Sequence, residues 1–331
     1  MKPRRWISGS SFPATSLALL AGGLAACGDT PPDPLPLDAV AHRAEVDAWH
    51  ARRVGELEAP DSWLALIGLH WLPEGESTVG GDPGNDVVLP SGKAAPRVGR
   101  VVVEGRELRW WTEPGVTVTQ GIDSTLSLPA ATGPRPPDVS RDPAVESALL
   151  TEDVGSGKSV VLRHGPLNWI AIRRGDRVAL RIRDNQDETY EAFQGIDRYP
   201  VSPDWRVTAR WVPHEKTVAV PNVLGTVSEA ASPAHLAFWI DGRRHTLDVT
   251  GDPDDDRFML VFADATSGVE TYGGGRYVWV ERPDAEGRVA IDFNLAYNPP
   301  CVWSEFATCP LPSRDNRLDV PVLAGEKDWA H

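Results

Sequence analysis

A chain of 331 residues has room for two domains, and its 47 acidic side chains against 33 basic ones give a formal net charge of −14. Such a surface repels phosphate backbones and anionic headgroups, so nucleic acid is disfavoured as a partner, while neutral, cationic or metal-bridged ligands stay open. Only three cysteines occur, at 27, 301 and 309, too few for a disulfide-dense scaffold.

Lys2, Arg4 and Arg5 precede the ten-residue apolar run LALLAGGLAA (17–26). That run is shorter than the roughly 20 residues a bilayer-spanning helix needs, so residues 1–26 read as an export signal. Leu24-Ala25-Ala26-Cys27 resembles a bacterial lipobox, which implies a lipidated Cys27, a membrane anchored through it and a place in the cell envelope, periplasmic or outer-surface. An ordinary signal peptide that happens to hold a cysteine is the competing reading. Loss of residues 1–26 removes three basic and no acidic side chains, leaving a net charge of about −17. Residues 27–37 are Pro-rich and read as an extended tether.

The next segments follow in chain order. Asp38 to about Leu57 has helical spacing, with Asp38 as N-cap and Val46, Trp49, Val54 and Leu57 on one side. WLALIGLHWL (63–72) is a buried apolar run between turn signals. RVVVEGRELRWW (100–111) and WIAIRRGDRVALRIRD (169–184) each read as two strands about a turn, the second with period-two alternation on both arms. Residues 130–148 read as a surface loop or flap. Beyond Phe193 come WRVTARWVP, KTVAVPN, LAFWIDGRRHTLDV, RFMLVFAD and RYVWVERPDAEGRVAIDFN, short strands joined by turns such as Asp241-Gly242. The expected fold class is mainly β. An N-terminal helix and β-sandwich fill 38–190, and a second antiparallel meander, sandwich or barrel fills 191–327.

Several familiar signatures fail on inspection. GSGKS (155–159) lacks the first glycine of a phosphate loop and leads into a strand. GDPDDD (251–256) has calcium-loop spacing, but Arg257 stands where the glycine belongs and Ala263 where the closing glutamate belongs. The eight histidines are scattered singly, which leaves no metal-ligand spacing and points to no cofactor. No nucleophile elbow occurs. Thirteen tryptophans fall mostly within strand patterns, which favours cores over a sugar-stacking surface.

The richest constellation comes from topology. If 257–263, 276–282 and 288–293 are consecutive antiparallel strands, DFNLAYNPPC arrives at the same edge as DATSGVETYGGGR. Glu270 and Asp292 are then acid/base candidates and Arg276 an anion clamp. Thr266, Ser267, Thr271, Tyr272, Asn294, Tyr297 and Asn298 are ligand-orienting groups. The competing reading is a hydrogen-bonded loop network that locks a sheet edge. Cys301 and Cys309 sit on this edge. Export favours a disulfide between them, with metal ligation or a free thiol as the alternatives.

STVGGDPGNDVVLP (77–90) resembles the opening of a forkhead-associated β-sandwich, although Gly81 replaces the phosphate-reading Arg and no Ser-x-x-His follows. GLHWLPEGESTVGGDPGNDVVLP, GIDRYPVSPDWRVTARWVP, PNVLGTVSEAASP, FADATSGVETYGGGRYV and DFNLAYNPPCVWSEFATCPLPSRDNRL together resemble the domain-of-unknown-function family 1684 across roughly 45–327. That resemblance implies that the two-part β architecture is one unit, and it implies no particular activity. Three functional classes follow from the residues. One is an envelope protein that binds or scaffolds a small molecule, a glycan or another envelope protein. Another is a glycan- or peptide-directed hydrolase or transferase. The third is a redox protein using Cys301 and Cys309.

Overall fold

The computed structural model describes residues 30–105, 107–122, 146–149 and 160–329. Residues 1–29 with Cys27, the GSGKS stretch (155–159) and positions 130–145 of the segment expected as a loop lie outside the described residues.

Asp38 caps helix α1 (Ala39–Leu57) by accepting from the amides of Val40 and Ala41, as its position before an amphipathic run predicts. Among the described residues ten strands follow: β1 (Leu66–Leu72), β2 (Gly75–Gly80), β3 (Val87–Val88), β4 (Gly99–Glu104), β5 (Glu107–Thr112), β6 (Thr119–Ile122), β7 (Glu146–Leu149), β8 (Val160–His164), β9 (Leu167–Arg174) and β10 (Arg177–Asp184). They form two five-stranded sheets, ordered β1-β10-β9-β8-β6 and β3-β2-β4-β5-β7, antiparallel except for the short β2–β3 pair. Val79, Val101, Val103 and Trp110 of one sheet share a core with Leu162, Trp169, Leu180 and Ile182 of the other. Trp110 and Trp169 meet at 5.1 Å between ring centroids, and each such fully buried side chain contributes roughly 1.5–3 kcal/mol or more. This is a β-sandwich. One local expectation needs correction: β9 and β10 do not alternate between core and solvent. Both faces are buried: on the second, Ile170, Ile172 and Ala179 pack with Leu69 and Trp71 of neighbouring β1, and Arg173, Arg181 and Arg183 are buried as well.

A short helix α2 (Glu188–Ala192) leads to the second set: β11 (Arg206–Pro221), β12 (Val227–Ile240), β13 (Arg243–Asp248), β14 (Arg257–Phe262), β15 (Arg276–Glu281) and β16 (Arg288–Asp292). Here the order is β13-β12-β11-β16, with β14-β15 as a separate ribbon, and among the described residues no sheet closes into a barrel. Leu236, Phe238, Phe258, Leu260, Phe262, Ile291 and Phe293 fill the second core.

Two placements were not visible in the local pattern. Helix α1 seats His42 on Asp292 and Arg53 on Glu326, both in the second β unit. In the tether, Leu35 donates its amide to Thr208 Oγ1 of β11. Among the described residues no helix is long and apolar enough to cross a membrane.

Candidate functional site

β14 and β15 pair antiparallel as expected, Phe262 opposite Arg276, but β16 does not continue that ribbon. It pairs with β11 instead, Val207 opposite Ile291, because its inward residues Val289 and Ile291 join the core beneath β11. The two polar segments meet all the same: Tyr277 and Tyr297 exchange backbone hydrogen bonds at 2.9 Å, with their rings 5.7 Å apart.

The loop 264–275 is held from within. Asp264 Oδ1 accepts from the Thr266 amide and hydroxyl and from the Val322 amide, and the Thr266 and Thr271 hydroxyls are 2.8 Å apart. Ser267 Oγ accepts the Asp264 amide. Arg276, expected as an anion clamp, has no exposed surface. Its guanidinium bonds Asp264 and the carbonyls of Val322, Ala324 and Glu326, so the structure gives it the work of a socket for the 322–326 strap.

The second segment is similarly occupied. Asp292 Oδ2 lies 2.6 Å from His42 Nε2, and Oδ1 accepts the amide and side chain of Asn294. Asn294 clamps both backbone groups of Ser202. Asn298 donates its amide to Glu326 Oε2 and its side chain to the Lys327 carbonyl. Glu326 is buried and paired with Arg53, whose guanidinium stacks over the Tyr297 ring at 4.8 Å; Trp49 meets the same ring edge-on. Burial raises the Tyr277 phenol well above its ordinary range, and raises Tyr297 and Tyr272 too.

Glu270 stands apart. Its side chain is 49% exposed and 3.6 Å from Lys327 Nζ, while Asp292 answers to His42 and Asn294. The two acid/base candidates share no hydrogen-bond partner among the described residues. Tyr199, near Glu270, has its phenol raised by burial first and by that carboxylate second.

Cys301 and Cys309 form a disulfide, Cα atoms 6.1 Å apart. The loop it closes reaches the first sandwich: Ser304 Oγ donates to the Leu66 carbonyl, and Thr308 Oγ1 accepts from Arg174 and Arg181. Desolvation first, and the neighbouring Arg174 second, push the Arg181 guanidinium down to about 9.

The sequence reading misses a second constellation. The β11–β12 ladder slips between Pro213 and Lys216, and this bulge turns His214 toward β12. His235 on β12 lies opposite Asp248 on β13. One ligand-type atom from each of His214, His235 and Asp248 falls within 4.8 Å of the others. His214 Nε2 is 2.9 Å from Ser232 Oγ and 4.0 Å from Asp248 Oδ1, while Lys216 Nζ holds Asp248 Oδ2 at 2.8 Å. Burial lowers both histidine pKa values, helped at His214 by Lys216 and at His235 by His214, so both rings favour the neutral form. His214, Lys216, Thr217, Ser232 and Pro253 line an open cleft of about 570 Å³. No spacing in the sequence signals this site, since its members meet only through strand register and a bulge.

Residues 191–327 match the family model described as "Protein of unknown function (DUF1684)". Over that span the chain matches the DUF1684 family. The matched span takes in β11–β16, the disulfide and the strap, including the 264–276 and 292–298 segments and the bulge cluster. A solution NMR structure of an uncharacterized protein of Haloarcula marismortui is 33% identical, over 42% of this chain and 80% of that one, with a TM-score of 0.36. No curated protein matches the chain.

Proposed function

We propose that this protein is an exported, lipid-anchored binding protein of the bacterial cell envelope, with its ligand site at the cleft over the β11–β12 bulge. One observation carries the reading. With Glu270 half-exposed and set aside, the edge residues Asp264, Thr266, Thr271, Arg276, Asp292, Asn294 and Asn298 are bonded to backbone and to one another, whereas His214, Lys216 and Thr217 face an open concavity. The acidic chain favours a neutral, cationic or metal-bearing small ligand over an anionic one. Export and anchoring at Cys27 rest on the N-terminal sequence, and Cys27→Ala should release the protein from the membrane fraction.

The binding role is tested by a thermal-shift screen of envelope glycan fragments, peptides and amines in the presence of a chelator. A ligand at a hundred times its Kd adds about 2.7 kcal/mol of stability, which reads as a clear rise in Tm. Thr217→Trp, which fills the cleft, should abolish the rise, and Glu270→Gln should not. A rise untouched by Thr217→Trp would move the site elsewhere.

A second reading, a glycan- or peptide-directed hydrolase or transferase using Glu270 and Asp292, draws support from the 2.6 Å His42–Asp292 contact, since a carboxylate orienting an imidazole is a general-base arrangement. It requires that Asp292→Asn abolish turnover in a folded protein. His42 is only 5% exposed, which gives a substrate little access to that pair.

A further inference from the structure

We infer, taking the bulge cleft as the ligand site, that His214, His235 and Asp248 form a binding site for a divalent transition-metal ion, zinc(II) first among them. Two imidazoles and one carboxylate are a donor set that zinc and its neighbours accept, and three protein ligands leave a coordination position for water or a captured ligand. The open side is supplied by the cleft, which His214 itself lines.

The geometry needs only a small contraction. Donors about a tetrahedral zinc stand roughly 3.3 Å apart for bonds near 2.0–2.1 Å. His214 Nε2 and Asp248 Oδ1 are already at 4.0 Å, and the three residues' donors all lie within 4.8 Å. His214 sits on a bulge in an exposed ribbon, so its ring can close the 4.0 Å gap to Asp248 by roughly 0.7 Å, and a donor pair at the 4.8 Å limit by roughly 1.5 Å, without deforming a core strand.

Asp248 is held in place by a second layer. Its amide donates to Asn316 Oδ1 at 2.7 Å, and Asn316 Nδ2 donates back to its carbonyl at 2.8 Å and to Val261 at 2.9 Å. Such outer contacts fix a ligand before the ion arrives. Lys216 takes Oδ2 of the carboxylate and leaves Oδ1 facing His214. The Ser232 hydroxyl can rotate from His214 Nε2 and still donate to the Ala234 carbonyl, which it faces at 3.4 Å.

Lys216 gives the site a signature that scattered surface histidines lack. Its ammonium repels an incoming dication across the shared carboxylate, so removing that charge should strengthen binding.

The test is calorimetric titration of the purified, chelator-stripped full chain with zinc chloride, paralleled by cobalt(II) chloride read by visible absorption. Thermal shift without added metal follows the fold of each variant. The expected result is a saturable site that weakens at least tenfold in His235→Gln, loses the low-coordinate cobalt spectrum, and tightens severalfold in Lys216→Gln. His214→Gln, on the exposed bulge, reports the same loss should His235→Gln fail to fold. Absence of saturable binding, or binding that both histidine variants leave unchanged, would overturn the site, as would a weaker site in Lys216→Gln. Because no organic ligand enters this titration and the thermal-shift screen runs in chelator, the metal site and the cleft's ligand role fail independently.

Discussion

Arg276 Nη2 sits 2.8 Å from Asp264 Oδ2, and neither side chain reaches solvent. The pair joins the 264–275 loop to the 322–326 strap, because the same guanidinium binds three strap carbonyls. Removing one member strands a buried charge, at a cost of about 3–5 kcal/mol. Asp264→Asn and Arg276→Met should each lose stability on that scale in urea unfolding, and a loss below about 1 kcal/mol would show that the pair is not the brace described here.

Three glycines close the same loop: a Cβ at Gly274 would meet the Tyr272 ring at 2.4 Å, and Gly275 is constrained by backbone as well. Gly275 has φ +85°, and a Cβ there would stand 2.5 Å from the Phe262 carbonyl and 2.5 Å from Pro312. Gly325, at φ +77°, would meet the Ala296 carbonyl at 2.4 Å. Gly273→Ala meets nothing closer than 3.6 Å. Gly275→Ala and Gly325→Ala should therefore lower Tm by several degrees each, and Gly273→Ala should leave it nearly unchanged.

The Cys301–Cys309 bridge closes a loop of about nine residues, worth roughly 2–3 kcal/mol in the chain-entropy model. Cys301→Ser with Cys309→Ser should lose that amount. The added consequence is local: cleavage by a protease within 301–309 should accelerate, since Thr308 and Ser304 then hold an unclosed loop. Reactive thiols at these positions in the unreduced, unfolded chain would contradict the bridge.

Burial lowers the pKa of His70, and the pKa values of His50 and His245 fall for the same leading reason. In the unfolded chain these groups take protons first as pH falls through about 6.5, so the unfolded state then binds more protons than the folded one. Their contribution to stability is whole above pH 6.5. It declines as pH drops below that value, and the decline stops once the folded groups protonate too. Urea midpoints should fall between pH 7 and about 5, before carboxylates titrate. His70→Gln, at the site shifted by desolvation alone, should flatten part of that slope.

Local chemistry was the legible part of the sequence. Asp38 announced its helix, Gly175-Asp176 and Asp241-Gly242 their hairpins, and Val101 and Val103 a face. Non-local partnership was not legible. Nothing beside Ile291 says that it pairs with Val207 rather than with β15, because several neighbouring strands offer equally apolar faces. The polar edge was found as a place and misjudged in part as to work. Arg276 and Asn294 are residue types that bind ligands or lock loops equally well, and only their partners decide. His214, His235 and Asp248 carry no spacing signal at all, since a bulge and a cross-strand register bring them together.

Arg53 and Glu326 are 273 positions apart and hydrogen-bonded. A helix near the beginning of the fold therefore reaches its seat only after residue 326 exists, so the folding clock of this chain starts late. Contacts of such long range slow folding, so the seating of α1 on the 322–326 strap is expected among the last steps of folding.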